Sequence, residues 1–186
     1  MLIGRWLRDL EPELVFVVIP LIGPYITIFV EKRSDIMESK VLLAIDHSDN
    51  AQKAVDYVGK MLGCNREADI TMLYVINEPS PDIMPDDEER RRYVEQMKEK
   101  TLEFVESIGA HLSNWGIPKE NIHLRILSCS KTTSVAEGIL QELRQGEYGT
   151  VVVGRRGVSK REEFLFGSVS NKVVREAKNC TVWVVE

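Results

Sequence analysis

The sequence predicts an α/β domain in which helices cover both faces of a five-stranded parallel sheet. Two observations favour this fold class: short apolar runs alternate with segments of helical period, and those runs are continuous, as in strands buried on both faces. The 186 residues are enough for one such domain, and a composition of 44% hydrophobic and 28% charged residues is typical of folded proteins. Strands that are joined through helices are expected to form right-handed parallel crossovers.

Five strands are predicted from the continuous apolar runs, at Lys40–Ile45, Asp69–Ile76, Ile122–Leu127, Thr150–Val153 and Cys180–Val185. The intervening segments have helical period together with capping residues at their ends. They predict helices from Ala51 to Gly63, from Asp86 to Trp115, from Thr133 or Ser134 to Gly146, and from Gly167-Ser168 onward. We expect the charged start of the long helix, Asp86–Arg92, to be a solvated face.

Charge and cysteine content exclude several function classes. The net charge of −5 disfavours a general electrostatic interaction with nucleic acid. The cysteines and histidines are scattered, so neither a disulfide framework nor a thiolate zinc site is expected; they are Cys64, Cys129, Cys180, His47, His111 and His123. A reducing, cytoplasmic location is therefore predicted.

Residues 1–36 differ in character from the domain predicted at 37–186. The apolar run Leu14–Val30 has basic residues on both sides, and as a helix it would span about 25 Å, slightly less than a hydrocarbon core. Pro20 and Pro24 interrupt such a helix. Three interpretations stay open: a short membrane anchor, a packed or flexible extension, and a start assigned upstream of the true one near Met37.

Glycines after the fourth strand are the clearest sign of a ligand site. The segment after the first strand, Asp46–Asp49, lacks the glycines of a dinucleotide fingerprint, and the chain contains no phosphate-binding P-loop motif. By contrast, Gly154, Gly157 and Gly167-Ser168 would let main-chain N–H groups approach phosphate oxygens at a helix N-terminus. A tight turn followed by a helix cap explains the same residues, and the residues alone leave both interpretations open.

The spacing Gly154-x2-Gly157-x9-Gly167-Ser168 resembles the G-2x-G-9x-G-[ST] ATP-binding signature of the universal stress protein family. The opening VLLAIDHSDNAQKAVDYV and the run ITMLYVI are similar to that family's first strand and helix and to its second strand. The resemblance covers Ser39 to Glu186 and includes all five strands in order. It implies a flavodoxin-like, adenine-nucleotide α-hydrolase-like fold.

The resemblance also implies a set of nucleotide-binding positions. Asp46 corresponds to the acidic residue near the ribose and phosphates, where it is also the candidate metal contact, through water. Ala44 and Ile45 would line the base pocket, and the backbone of Val75 would contact the adenine. The phosphate side would be formed by Val153, Gly154, Gly157, Gly167, Ser168, Val169 and Ser170. Independently of the resemblance, the cations Arg155 and Arg156 lie in the same stretch, where they would contact phosphate or a partner or form a solvated face.

The function that this resemblance implies is that of an ATP-binding, nucleotide-responsive stress regulator with at most slow hydrolysis. The expected ligands are ATP or another adenine nucleotide, with Mg²⁺. Expected partners are a second copy of the chain, paired through Cys180–Val185, and an unknown protein; a membrane is a partner only if the Leu14–Val30 run is an anchor. Two alternatives are a hydrolase or transferase of the adenine-nucleotide α-hydrolase type and a ligand-free interaction module.

Overall fold

The computed structural model describes residues 39–129, 133–155 and 167–186, together with the backbone of two N-terminal strands. The chain divides into two compact units, Met1–Met37 and Glu38–Glu186. Each unit is described by itself below.

The described part of the N-terminal unit is an antiparallel strand pair. Strand β1, Leu14–Val18, pairs with β2, Thr27–Glu31, in a register that joins Leu14 to Glu31 and Val18 to Thr27. Both segments are rich in β-branched and aromatic residues, which favour extended backbone. Pro20 and Pro24 lie outside the described residues. Among those that are described, no helix is long and apolar enough to span a membrane.

The second unit contains the predicted five-stranded parallel sheet, in the order β5-β4-β3-β6-β7. Its strands are β3 at Lys40–Ile45, β4 at Asp69–Asn77, β5 at Ile122–Cys129, β6 at Thr150–Gly154 and β7 at Thr181–Val185. All four neighbouring pairs are parallel. This order is that of doubly wound nucleotide-binding folds rather than that of flavodoxin itself. The predicted fold class is confirmed.

Helices follow the strands, and each begins at a capping residue. They are α1 at Asp49–Leu62, α2 at Asp87–Asn114, α3 at Val135–Gly146 and α4 at Ser168–Glu176, with a short 3₁₀ turn at Lys119–Asn121. The side chains of Ser48, Asp86 and Ser134 accept main-chain N–H groups of the first turns of α1, α2 and α3. The predicted helix ends therefore agree with the structure to within a few residues.

Two apolar cores lie on opposite faces of the sheet. On one face, α1 and α2 pack against alternate strand residues such as Leu43, Ile70 and Met72. On the other face, α3 and α4 pack against Leu42, Leu73 and their neighbours. Because successive strand residues point to opposite faces, continuous apolar strands supply both cores at once.

The charged start of α2 is only partly the solvated face that the sequence predicts. The side chain of Arg90 is 11% exposed and donates to the carbonyl oxygens of Met84 and Pro85. It also pairs with Glu78 and Asp87. Arg90 therefore fastens the loop between β4 and α2 to the first turn of the helix, which the charge pattern alone did not predict.

Candidate functional site

A cavity of about 300 Å³ opens at the carboxyl ends of the central strands. Its lining comes from strands β3, β4 and β6 and from helices α1, α2, α3 and α4. Seven of the predicted site residues line it: Ala44, Ile45, Asp46, Val75, Val153, Gly154 and Val169. The sheet therefore gathers residues that are more than a hundred positions apart in the chain.

The cavity lies at the switch point of the sheet. From β3 the chain proceeds to β4 and β5 on one side, and it then returns to β6 and β7 on the other side. Crossovers that leave a central strand in opposite directions open a crevice at its carboxyl end, and ligands of open α/β sheets bind there.

Strand β4 extends past the end of its neighbour β3. The pairing of these two strands ends at Ile45 with Tyr74, whereas β4 continues to Asn77. The N–H of Glu78 donates to the Cys129 carbonyl on the β5 side at 3.0 Å. Since main-chain groups of successive strand residues point alternately to the two neighbours, those of Val75 and Asn77 point to the β3 side. There they face the cavity beyond the last residue of β3.

Asp46 brings a carboxylate to the mouth of the cavity in a fixed orientation. Its Oδ1 accepts the Ser48 N–H at 2.9 Å and the Ser48 hydroxyl at 2.5 Å. The same Ser48 oxygen accepts the N–H of Ala51 at the start of α1. The side chain of Asp46 is thus tied to the N-terminus of α1, where the helix dipole favours a negative charge.

Packing against the start of α1 requires glycine at position 154. A Cβ at this position would lie 2.7 Å from the carbonyl carbon and oxygen of Asn50 and 2.9 Å from the N of Ala51. The side-chain amide of Asn50 also donates to the carbonyl oxygen of Arg155. Strand β6 therefore leaves the sheet in close contact with the first turn of α1, which accounts for this glycine without invoking a phosphate.

Arg155 is held by the end of the last strand. Its N–H donates to the carbonyl of Val185 at 2.6 Å, and its guanidinium pairs with the Glu186 carboxylate at 2.5 Å. The side chain is 28% exposed. The predicted phosphate-side cation is thus joined to β7, and Arg156 and Gly157 lie outside the described residues.

Of the predicted residues at the start of α4, Val169 lines the cavity, whereas Ser168 and Ser170 do not. Gly167 is the N-cap and provides no side-chain cap, and Val169 lines the cavity. Ser170 is 1% exposed and donates its hydroxyl to the Gly167 carbonyl at 3.1 Å, so it does not line the cavity. Ser168 is the first helical residue and is exposed.

Among the further residues that line the cavity are Tyr74, Asn77, Tyr93 and Met97, none of which the sequence predicted as a site residue. Tyr74 is 7% exposed. Burial raises the pKa of its phenol, a hydrogen bond with Thr101 opposes this shift, and the charges of Asp46 and Tyr93 add to it. Tyr93 and Met97 lie on one face of α2 at a spacing of four residues, so both side chains reach the cavity.

His47 packs on aromatic rings beside the site without lining it. Its ring lies 4.1 Å from that of Phe104 and 5.7 Å from that of Tyr74, between centroids. Within the described ranges, no group of three or more His, Cys, Asp or Glu side chains is placed to hold a metal ion. A single carboxylate such as Asp46 suits Mg²⁺ only when phosphate oxygens and water complete the shell.

This chain resembles curated proteins and solved structures of one family. Universal stress protein YxiE of Bacillus subtilis is 28% identical over 160 residues, which cover 80% of this chain and 99% of that protein. A Thermus aquaticus universal stress protein, named for the QAH/OAS sulfhydrylase 3′ region, is 30% identical over 152 residues, with coverage of 80% and 99%.

The solved structures share the fold. Universal stress protein UspA from Lactobacillus plantarum has a TM-score of 0.64 at 20% identity, covering 80% of this chain and 98% of its own. A universal stress protein in complex with cAMP has a TM-score of 0.57 at 19% identity, with coverage of 80% and 96%. An Arabidopsis thaliana family protein with AMP bound has a TM-score of 0.55 at 20% identity, with coverage of 79% and 90%. The sequence model described as the universal stress protein family matches residues 37–186, and the chain therefore belongs to that family.

Proposed function

We propose that the domain binds an adenine nucleotide, with ATP as the leading candidate, in the cavity at the carboxyl edge of the sheet. The observation that carries this proposal is the extension of β4 beyond β3, which leaves main-chain N–H and C=O groups of Val75 facing the cavity. Adjacent N–H and C=O groups complement the N1 acceptor and the 6-amino donor of adenine. That two structural relatives were solved with cAMP and AMP supports the same class of ligand.

The lining is suited to a planar apolar base. Ala44 and Val75 lie on the two strands beneath it, and Val135, Ile139 and Val169 approach from α3 and α4. Removing about 100 Å² of apolar surface from water contributes about 2.5 kcal/mol, so such contacts give substantial affinity.

The phosphates are assigned to the start of α4 and the exit of β6. Because the Gly167 cap has no side chain, the first N–H groups of α4 are available to an anion, and the helix dipole favours one there. Asp46 lines the mouth of the cavity. There its carboxylate would accept hydrogen bonds from ribose hydroxyls or from the water of a phosphate-bound Mg²⁺. Gly157, as a position of the family motif, and the neighbouring cation Arg156 are assigned to the same phosphate side.

A regulatory role is favoured over efficient catalysis. Among the described residues that line the cavity, Asp46 is the one that carries a carboxylate, and its Oδ1 already accepts hydrogen bonds from Ser48. A general base must lie within hydrogen-bond reach of the water that it activates. By contrast, the two contacts of Arg155 with Val185 and Glu186 connect the phosphate side directly to the edge strand β7. Ligand binding would thereby bias the surface through which this cytoplasmic regulator meets its partners.

Mass spectrometry of the ligand released from gently purified protein tests this function. We expect an adenine nucleotide, together with slow or no product formation in the presence of Mg²⁺. Turnover of many equivalents per minute would instead favour a hydrolase or transferase of the adenine-nucleotide α-hydrolase type. A protein without copurified nucleotide and without binding at millimolar concentration would be a ligand-free interaction module.

A further inference from the structure

We propose that the side chain of Asn77 reads the N6 and N7 edge of the bound base and thereby selects adenine. This inference rests on the proposed function, because it assigns a specificity-determining residue within the same cavity. The observation that carries it is that Asn77 lies two residues after Val75, on the part of β4 that extends beyond the end of β3.

Asn77 lies at the position that the far edge of a base bound to Val75 would reach. It is the last residue of β4, it lines the cavity, and its side chain is on the same face of the strand as those of Leu73 and Val75. Two residues of strand span about 6.6 Å, a distance comparable to the width of a purine. Among the described residues, its carboxamide has no hydrogen-bond partner, so both its donor and its acceptor are available to a ligand.

Chain direction fixes which edge of the base meets Asn77. Along β4 the N–H of Val75 precedes its C=O, and Asn77 follows. A base that accepts the N–H at N1 and donates its 6-amino group to the C=O therefore runs from N1 to N6 in the direction of the strand. The atom that comes next on the purine is N7, so the N6 and N7 edge faces Asn77.

The chemistry of a carboxamide matches that edge. Its oxygen accepts the second hydrogen of the 6-amino group while its NH₂ donates to N7, the same bidentate pairing that Asn and Gln make with adenine in DNA. Guanine presents two acceptors, O6 and N7, along this edge, so the carboxamide oxygen of Asn77 would be left without a donor. Asn77 is exposed at the end of β4, so guanine is disfavoured by the lost hydrogen bond and by the contact between two acceptors, O6 and the carboxamide oxygen.

Calorimetric titration with ATP and with 7-deaza-ATP tests the assignment, because the analogue lacks only the N7 acceptor. Three variants are compared with the wild type: Asn77→Leu removes both groups, Asn77→Asp keeps the acceptor and removes the donor, and Asn114→Leu repeats the first change at an exposed position far along α2. Circular dichroism checks that each variant is folded.

The wild type and Asn114→Leu are expected to bind ATP about three- to tenfold more tightly than 7-deaza-ATP, the range that one net hydrogen bond contributes. Asn77→Leu should lose this preference, and Asn77→Asp should lose or reverse it. Equal affinity of the wild type for both nucleotides, or an unchanged preference in Asn77→Leu, would overturn the inference and leave the proposed function standing. A wild type that binds neither nucleotide would overturn both.

Discussion

The side-chain amide of Asn50 donates a hydrogen bond to the carbonyl oxygen of Arg155, and so joins the first turn of α1 to the segment that leaves β6. The two residues are 105 positions apart in the chain. Next to this bond, Gly154 lies so close to the backbone of Asn50 that a Cβ would not fit. One pair of elements therefore fixes the point where the proposed phosphate-binding segment begins.

Replacing Asn50 with Leu is expected to lower the free energy of unfolding by about 1–3 kcal/mol, because the half-buried Arg155 carbonyl loses its donor. ATP affinity should fall as well, since the exit of β6 is no longer held. Urea denaturation and calorimetric titration measure the two effects. Gln52→Leu, at an exposed position of the same helix, is the matched control. Equal stability of the two variants would contradict the role of the bond.

A substitution at Gly167 tests whether a side chain blocks the ligand without also straining the backbone. Its φ of −60° and ψ of 154° are open to any residue, so a β-branched side chain there creates no backbone strain. We expect Gly167→Val and Gly167→Thr to lower ATP affinity at least about tenfold, because a Cβ and its branches obstruct the phosphate. Thr adds a hydroxyl that can cap the helix, so the melting temperature of Gly167→Thr should not fall below the wild-type value. Unchanged ATP affinity in both folded variants would remove Gly167 from the site.

The pH dependence of stability should report the burial of Tyr74. Because burial raises the pKa of its phenol above 10.0, the unfolded chain loses this proton first as the pH rises. The stabilising contribution is therefore fully present below about pH 10 and is lost as the pH passes through the folded-state pKa. Urea denaturation from about pH 8 to 11 should show this decline, and Tyr74→Phe should make it shallower. A slope identical in wild type and variant would argue against the burial.

Dimerisation through β7 is expected because this strand lies at the edge of the sheet. The N–H of Thr181 and the C=O of Val185 bond to the β6 side, so the main-chain groups of Val182 and Val184 point to the open edge. Val184→Pro should therefore abolish dimers by removing an outward N–H, whereas Val184→Ala keeps that donor and should still dimerise. Light scattering at tens of micromolar distinguishes the two. A monomeric wild type, with and without ATP, would refute this interface.

The sheet and its helices were predictable because each element carries its own local signal. The strand Lys40–Ile45 is a continuous apolar run, and Ser134 precedes a helical period, so neither needed knowledge of the rest of the chain. The same local reasoning left Leu14–Val30 open between an anchor, an extension and an upstream start, and it did not predict the two paired strands Leu14–Val18 and Thr27–Glu31. Continuous apolar runs do not distinguish buried strands from buried helices by period alone.

The site was predictable only where a motif or a strand end marked it. Asp46 and Gly154 follow predicted strands, and both line the cavity. Tyr93 and Met97 also line the cavity, but they do not follow a strand. Their place there depends on how α2 crosses the sheet, which the sequence does not reveal. The pairing of Arg155 with Glu186 likewise depends on β6 and β7 being neighbours, which no spacing along the chain reveals. That residues 37–186 fold and bind ATP by themselves stays a prediction.

The measurement that tests the central proposal most directly is calorimetric titration of ATP into the wild type and a cavity-filling variant. Ala44 is half-buried and lines the cavity, so Ala44→Phe places a ring where the base is proposed to bind. Ala110→Phe, at an exposed position of α2, is the matched control. We predict that the wild type and Ala110→Phe bind ATP alike, and that Ala44→Phe, while folded, binds at least about tenfold more weakly, or about 1.4 kcal/mol. Equal ATP affinity in folded Ala44→Phe, or no binding to the wild type at millimolar ATP, would contradict the proposal.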